Sequence, residues 1–251
     1  MKRFMVRADD LGYSKAVNYG ILETVKNGVI KNIGFMVNMP NSVHGYELVK
    51  DYDICLGQHT NVCVGKPISD PSKIPSLVDE NGMFKSSKEY RNSKEDFVVI
   101  EEAVIEIEAQ YHKFVEITGY QPHYFEAHAV MSNNLMIALK QVADKYGLKF
   151  CGISFDGSAI DVDGQKMYMW MDSMNPTYDP FTFFTSIYEN TIPDGYHMMV
   201  CHPGYLDEYL LETSSLTTPR VKEVEMLCSH QFSDYLKEHE IKLYTYDEVH
   251  P

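Results

Sequence analysis

Short apolar runs alternate with longer amphipathic stretches along the chain. Residues 3–8 predict a strand, and the apolar positions after Ser14 then recur at helical spacing up to Gly28, which predicts a capped and terminated helix. Further strands are predicted at 33–38, 54–59, 123–128, 149–155, 196–201 and 242–246. Further helices are predicted at 94–117, 133–146, 180–189 and 217–238, whereas 61–88 predicts a long loop and 156–180 has no clear pattern.

Strands that alternate with helices predict an α/β fold with a parallel sheet. The number of units and the length of 251 residues are typical of a TIM-like (β/α) barrel of about eight strands, in a single domain covering residues 1–251. A doubly wound open sheet is the alternative. Such a sheet usually has a glycine-rich phosphate-binding turn after its first strand, and RADDLGYS at 7–14 lacks the GxGxxG spacing. The pattern therefore favours the barrel.

Four of the predicted strands end in residues that bind metals or transfer protons. Asp9 and Asp10 follow FMVRA, His59 follows ICLGQ, His128 follows HYFEA, and His202 follows HMMVC. Parallel α/β folds gather their sites at the carboxyl ends of strands, so we expect these side chains to converge although they are far apart in sequence. One aspartate and two histidines leave room for water on a catalytic divalent ion.

Strand geometry divides the roles of neighbouring residues. Successive side chains of an extended strand alternate between its faces, so one of Asp9 and Asp10 is expected to bind the metal and the other to approach bound water as a base. Glu126 lies on the same face as His128. It is expected either to orient a metal-binding imidazole or to pair with a buried Arg or Lys.

Composition narrows the classes of partner. The chain has 36 acidic and 22 basic residues and a net charge of −14, which argues against nucleic-acid binding and suits a small uncharged or cationic substrate. No apolar run approaches the roughly 20 residues that span a bilayer, and MKRFMVRADD does not read as a signal peptide. Five scattered cysteines without a CxxC spacing predict reduced thiols and a cytoplasmic location.

Several motifs, in this order, resemble the YdjC-like carbohydrate deacetylase family. They are RADDLGYSKAVNYGI, GFMVNMPNS, LGQHTNVCVGKP, SLVDENGMF, GYQPHYFEAH, and CHPGY followed by PRVKEVEML. The resemblance covers roughly residues 3–247. It implies a distorted (β/α) barrel and a metal-dependent hydrolase that removes acetyl groups from N-acetylated sugars such as chitin oligosaccharides.

The resemblance also implies roles for the strand-end residues. Asp10, His59 and His128 would hold a divalent metal ion, Mg²⁺ or Zn²⁺. Asp9 would be the general base, and His202 of the HPG motif the general acid. The partner would be a small acetylated sugar.

One stretch departs from the family pattern. The family usually has Asp-x-His-x-x-His or a richer histidine cluster where this chain has FEAHAVMS, so that Ala129 and Met131 replace a polar wall of the pocket. A different substrate is one consequence, and two alternatives stay open. These are a catalytically silent relative that binds metal and sugar, and a hydrolase of another amide. Enzymes of this size often form symmetric dimers, and we expect a homodimer.

Overall fold

One sheet, nearly closed into a barrel, organises the computed structural model, which describes residues 2–154 and 156–250. Its strands are β1 (Arg3–Leu11), β2 (Asn32–Phe35), β3 (Cys55–Thr60), β4 (Tyr124–Ala127), β5 (Lys149–Phe150), β6 (Ile160–Val162), β7 (Gln165–Trp170) and β8 (Tyr196–Cys201). Their order is β5-β4-β3-β2-β1-β8-β7-β6. Neighbouring strands are parallel except for the antiparallel hairpin of β6 and β7, which distorts the barrel. The predicted distorted TIM-like barrel in one α/β domain is therefore confirmed.

Helices connect the parallel strands. They are α1 (Lys15–Lys26), α2 (Ser42–Val49), α3 (Ser87–Asn92), α4 (Ile100–Thr118), α5 (Asn133–Tyr146), α6 (Pro180–Asn190), α7 (Glu208–Thr213), α8 (Thr218–Cys228) and α9 (His230–Glu238). Short 3-10 turns cover Pro71–Lys73 and Tyr246–Glu248. In the described part of the chain, none of the helices combines the length and apolar character that a membrane crossing requires.

Local capping explains several helix bounds. The Ser14 hydroxyl accepts a hydrogen bond from the backbone N–H of Val17 at 3.2 Å, as predicted for the start of α1. Gly119 ends α4 with φ of 84°, a left-handed conformation that glycine adopts without steric cost. Ser229 interrupts the predicted helix 217–238 because its backbone is extended, and its hydroxyl caps α9 instead. That prediction of one helix was wrong.

The predicted strand at 242–246 was also wrong. Only Leu243 forms an isolated bridge, to Phe4, before the chain turns into the 3-10 segment. Tyr246 then enters the bottom of the barrel, where its ring stacks on Tyr124 with the centroids 3.8 Å apart. This turn buries the aromatic ring of Tyr246 in the barrel floor. If residues 242–246 continued as a strand paired with β1, the ring would stay outside the barrel.

Other predicted segments differ in extent, since the strand predicted at 33–38 ends at Phe35 and the helix predicted at 94–117 begins at Ile100. Of the strand predicted at 149–155, only β5 forms, and Phe155 lies outside the described residues. The stretch 156–180, which had no clear pattern, contains the β6–β7 hairpin.

Alternation along the strands separates two apolar layers. Phe4, Val6 and Ala8 of β1 face the helices, whereas Met5 packs inside the barrel with Met167 and Met198. Arg7 also points inward, since its guanidinium contacts the sulfur of Met198 at 3.9 Å. Because successive side chains alternate, Asp9 follows Met5 and Arg7 on the interior face, at the carboxyl end of the strand.

Candidate metal centre and active site

A bulge at the end of β1 brings both adjacent aspartates to one place. Between the pairs Ala8–Ile33 and Leu11–Phe35, β1 contains one residue more than β2. Asp10 occupies the left-handed region with φ of 79°, which is uncommon outside glycine but enriched in aspartate. Asp9 and Asp10 therefore line the same cavity, whereas a regular strand would turn them to opposite faces.

Three ligand atoms converge at the floor of this cavity. The His59 Nε2 atom lies 3.1 Å from Asp10 Oδ1 and 2.9 Å from His128 Nδ1. The His128 Nδ1 atom lies 3.0 Å from the same Asp10 oxygen. Atoms bound to one ion at about 2.0–2.2 Å are about 3 Å apart when their bonds meet near a right angle. The donor set and its spacing therefore fit a divalent metal ion.

Glu126 orients one of these imidazoles. Its Oε1 accepts a hydrogen bond from His59 Nδ1, which leaves the Nε2 lone pair directed at the cluster. Its other oxygen, Oε2, lies 3.2 Å from Arg7 Nη2. Glu126 therefore contacts both a candidate metal-binding imidazole and a buried arginine, although that imidazole belongs to His59 and not to His128.

The charge around His59 favours a cation. Burial alone would lower the pKa of this histidine, but the carboxylates of Glu126 and Asp9 raise it to about 10. An imidazolium thus balances the carboxylates when no metal ion does so. A ligating imidazole must be neutral, so a bound divalent ion would replace that proton.

Arg7 holds Asp9 by both carboxylate oxygens. Its Nε and Nη2 atoms each lie 2.7 Å from one oxygen of Asp9, in a bidentate pair. Burial alone would raise the pKa of Asp9, but the charges of Arg7 and His59 and the hydrogen bonds from Arg7 together outweigh it and lower this pKa below the ordinary value. Asp9 is therefore ionised at neutral pH, in a fixed orientation.

A second arginine holds Asp10 from the opposite side. Arg220, at the start of α8, donates from Nη2 to Asp10 Oδ2 at 2.6 Å. Its Nε donates to the carbonyl of Leu216 at 2.9 Å, so the guanidinium is fixed as well. Asp10 thus uses one oxygen for the histidines and the other for this ion pair.

His202 enters the cavity from the end of β8. Glu223 of α8 accepts a hydrogen bond from its backbone N–H at 2.6 Å. Burial lowers the pKa of the His202 imidazole to about 4, so the ring is neutral at pH 7. Burial also raises the pKa of Glu223 to about 7.

Comparison with known proteins identifies the family of this chain. The model of the family described as "YdjC-like protein" matches residues 3–238. The chain belongs to this family. The predicted resemblance is thereby confirmed.

Similar proteins match this YdjC-like chain over nearly its whole length. "Carbohydrate deacetylase 2" of Listeria innocua is 29% identical over 98% of this chain and 98% of that protein. The "Carbohydrate deacetylase" of Geobacillus stearothermophilus is 32% identical over 98% of this chain and 97% of that protein. A solved structure from Enterococcus faecalis V583, whose name refers to cellobiose-phosphate cleavage, has a TM-score of 0.86. It is 24% identical, covers 100% of this chain and 99% of that chain, and therefore shows the fold alone.

The cavity above the cluster has a volume of about 480 Å³, and its lining as a whole is more apolar than polar. Met131 and Met174 are the most exposed methionines of its lining, at 65% and 59%. Ala129 also lines it, so the stretch that departs from the family pattern does form a wall of the cavity. The loop predicted at 61–88 contributes Cys63, Val64 and Ser87.

The sequence prediction missed three charged residues of this YdjC-like site. Arg7 lies in the middle of a strand, and Arg220 and Glu223 lie on a helix that read as an ordinary amphipathic one. Gly34 was missed too, since a Cβ there would lie 2.7 Å from Asp9 Oδ1 and 2.8 Å from Glu126 Oε1. The sequence signal that could have identified Arg220 and Glu223 is the PRVKEVEML motif, which contains both of them.

A separate group of possible ligands lies at the amino ends of the strands. It consists of Cys55, His123 and Asp247. His123 Nδ1 is 2.6 Å from Asp247 Oδ1, and both residues are more exposed than the Asp10 cluster. A barrel uses this end for stability more than for catalysis, in accord with the structural role of a hydrogen-bonded pair.

Proposed function

We propose that this protein is a metal-dependent hydrolase that removes acetyl groups from N-acetylated sugars. The observation that carries the proposal is the convergence of Asp10, His59 and His128 beside an ionised, arginine-held Asp9. The names of the similar carbohydrate deacetylases support the same reaction. A cavity of about 480 Å³ suits a small sugar at its acetylated end.

Asp10, His59 and His128 would hold the divalent ion, with Zn²⁺ and Mg²⁺ as the candidates. Such an ion, when bound, lowers the pKa of water and polarises a carbonyl group. Glu126 would keep the His59 proton on Nδ1, and Arg220 would keep one Asp10 oxygen turned toward the histidines. These contacts pre-organise the ligands and exclude alternative side-chain conformations.

Asp9 would act as the general base. Its carboxylate is ionised, and both oxygens are fixed by Arg7, so it would accept a proton from the attacking water with little reorganisation. The lowered pKa makes it a weak base. Its contribution would therefore depend on its position more than on its proton affinity.

His202 would act as the general acid toward the departing amine. Its ring is neutral in the free protein, so it would first take up a proton from solvent, which the negative charge of the tetrahedral oxyanion favours electrostatically. The imidazolium would then give that proton to the amine nitrogen as the C–N bond breaks. Asp9 would release the proton of the attacking water to solvent at the end of the cycle. Acetate and a free amino sugar would be the products.

The test is acetate release from a panel of N-acetylglucosamine oligomers and related acetylated sugars. Metal-stripped protein is assayed with and without Zn²⁺ or Mg²⁺, beside Asp9→Asn and the surface control Asp194→Asn. Metal-dependent release that is lost in Asp9→Asn and kept in Asp194→Asn supports the proposal. Metal binding without release would instead favour a silent relative or another amide substrate. In that case the wall at Ala129 and Met131 becomes the first place to look for the difference.

A further inference from the structure

Two residues of the cavity have a buried polar atom without a hydrogen-bond partner. Among the described residues, such side-chain atoms are Gln58 Oε1, Tyr124 Oη, Ser173 Oγ, Thr191 Oγ1 and His202 Nδ1. Of these five, only Ser173 and His202 line the cavity above the metal ligands. A buried polar group without a partner loses its hydrogen bonds to water and gains none from the protein, so native proteins rarely leave one unpaired.

The strand register brings these two residues to the same level of the barrel. Strands β7 and β8 pair at a constant offset, from Met167 opposite Tyr196 to Trp170 opposite Met199. The same offset of 29 residues, continued for three positions beyond the ladder to the turn that begins at Ser173, would set Ser173 opposite His202.

Both residues also lie on the inner face. Met169 of β7 and the following Met171 and Ser173 occupy alternate positions, and all three line the cavity. Val200 of β8 and His202, just beyond its end, do the same. Adjacent positions on one face of neighbouring strands are within reach of each other's side chains, and of the five unpaired atoms these two share the cavity.

We propose that Ser173 is a positioning residue for His202, whose Nδ1 atom accepts a hydrogen bond from the Ser173 hydroxyl. The proton of the neutral ring then resides on Nε2, which presents an N–H to the cavity. No hydrogen bond joins the two atoms in the structure, so the pairing requires a rearrangement of these side chains. The consequence for catalysis rests on the proposed role of His202 as the general acid.

A hydroxyl suits a histidine that changes its protonation state. It donates to the bare Nδ1 of the neutral ring, and after rotation it accepts from the Nδ1–H of the imidazolium. The charged neighbours of His202 leave this nitrogen free, because Glu223 binds the backbone N–H and Arg220 lies 3.4 Å from the backbone carbonyl. A ring without a carboxylate at Nδ1 is in accord with its lowered pKa.

The direct test is nitrogen NMR of Zn²⁺-loaded protein labelled with ¹⁵N-histidine. Comparison with His202→Gln identifies the His202 signals. Wild-type protein is expected to show the neutral tautomer with its proton on Nε2 and a hydrogen-bonded Nδ1. Ser173→Ala should shift the Nδ1 signal and mix the tautomers, whereas Ser173→Thr should keep the wild-type pattern. Thr191→Val, which removes another orphaned hydroxyl outside the cavity, should leave the His202 signals unchanged.

Acetate release gives the second readout. Ser173→Ala should lower kcat about tenfold with KM unchanged, because a misoriented acid affects proton transfer and not substrate binding. Ser173→Thr should restore most of that loss. Unchanged His202 nitrogen signals in Ser173→Ala would overturn the pairing. If wild-type protein releases no acetate, the proposed function fails, and the NMR comparison still decides the pairing on its own.

Discussion

Replacing Arg220 by methionine should destabilise the metal-free protein far more than an ordinary lost ion pair. The Arg220–Asp10 pair has an N–O distance of 2.6 Å, and its side chains are 2% and 0% exposed. The substitution leaves a buried carboxylate without its partner, and such changes cost about 3–5 kcal/mol. Methionine keeps most of the side-chain volume, so packing contributes little to the loss.

The assay is urea unfolding of metal-stripped protein, with Lys166→Met as the matched control. Lys166 pairs with Asp194 at 2.9 Å, but the two side chains are 62% and 46% exposed, and loss of such a pair costs about 0–1 kcal/mol. Saturating Zn²⁺ should recover part of the Arg220→Met loss, because a cation beside Asp10 replaces the missing positive charge. Equal free energies of unfolding for the two variants, or a loss that Zn²⁺ leaves unchanged, would refute the electrostatic reasoning.

Three further predictions concern the surroundings of the cluster. Glu126→Gln should weaken Zn²⁺ binding about 10–100-fold in a chelator competition, since the amide orients His59 less strongly. Gly34→Ala should also weaken it, because the added carbon would lie 2.7 Å from Asp9 Oδ1. Glu223→Gln should flatten the pH dependence of the free energy of unfolding, because burial raises the pKa of Glu223 in the folded protein to about 7. The stabilisation from the protonated Glu223 is complete below about pH 4.5. It is lost as the pH rises through 7, which lowers the free energy of unfolding of the wild type by up to about 3 kcal/mol.

Each of these predictions has a control and a contradicting outcome. Gly152→Ala is the control for Gly34→Ala, since its added carbon would meet only the Phe150 ring at 3.7 Å. Equal Zn²⁺ affinities for those two variants would contradict the steric argument, and wild-type affinity in Glu126→Gln would contradict the orienting role. For Glu223→Gln, urea midpoints of variant and wild type that run parallel from pH 4.5 to 8 would contradict the raised pKa.

The convergence of the candidate metal ligands could be predicted because it depends on one general property of parallel sheets. The carboxyl ends of β1, β3 and β4 meet at one edge, so Asp10, His59 and His128 could be grouped without knowledge of any contact between them. The ends of helices could be predicted where a capping residue marks them, as Ser14 does at the start of α1 and Gly119 at the end of α4.

The remaining features depend on pairing between distant parts of the chain. The bulge at Asp10 exists only in relation to β2, so alternation along β1 alone predicts the wrong face for one aspartate. Arg220 meets Asp10 across 210 residues, and a helical pattern carries no sign of that ion pair. KLYTY has the composition of a strand, but Tyr246 is drawn into the barrel floor by Tyr124 and by the Arg7 guanidinium, 3.0 Å from its hydroxyl.

The cavity wall beside β7 is formed by methionines and not by the tryptophan of that strand. The indole N–H of Trp170 donates to His197 Nδ1 at 3.3 Å, and its ring stacks on the same histidine. The neighbouring Met169 and Met171 line the cavity instead. Parity along β7 decides this outcome, because alternate residues face the helices and the barrel.

Anomalous diffraction at the zinc edge, from crystals of Zn²⁺-loaded protein, would locate the metal ion itself. We expect a single strong peak about 2.0–2.2 Å from Asp10 Oδ1, His59 Nε2 and His128 Nδ1. A peak beside Cys55, His123 and Asp247 with none at the cavity floor would contradict it. In that case, the convergence of the strand ends would not mark a metal centre.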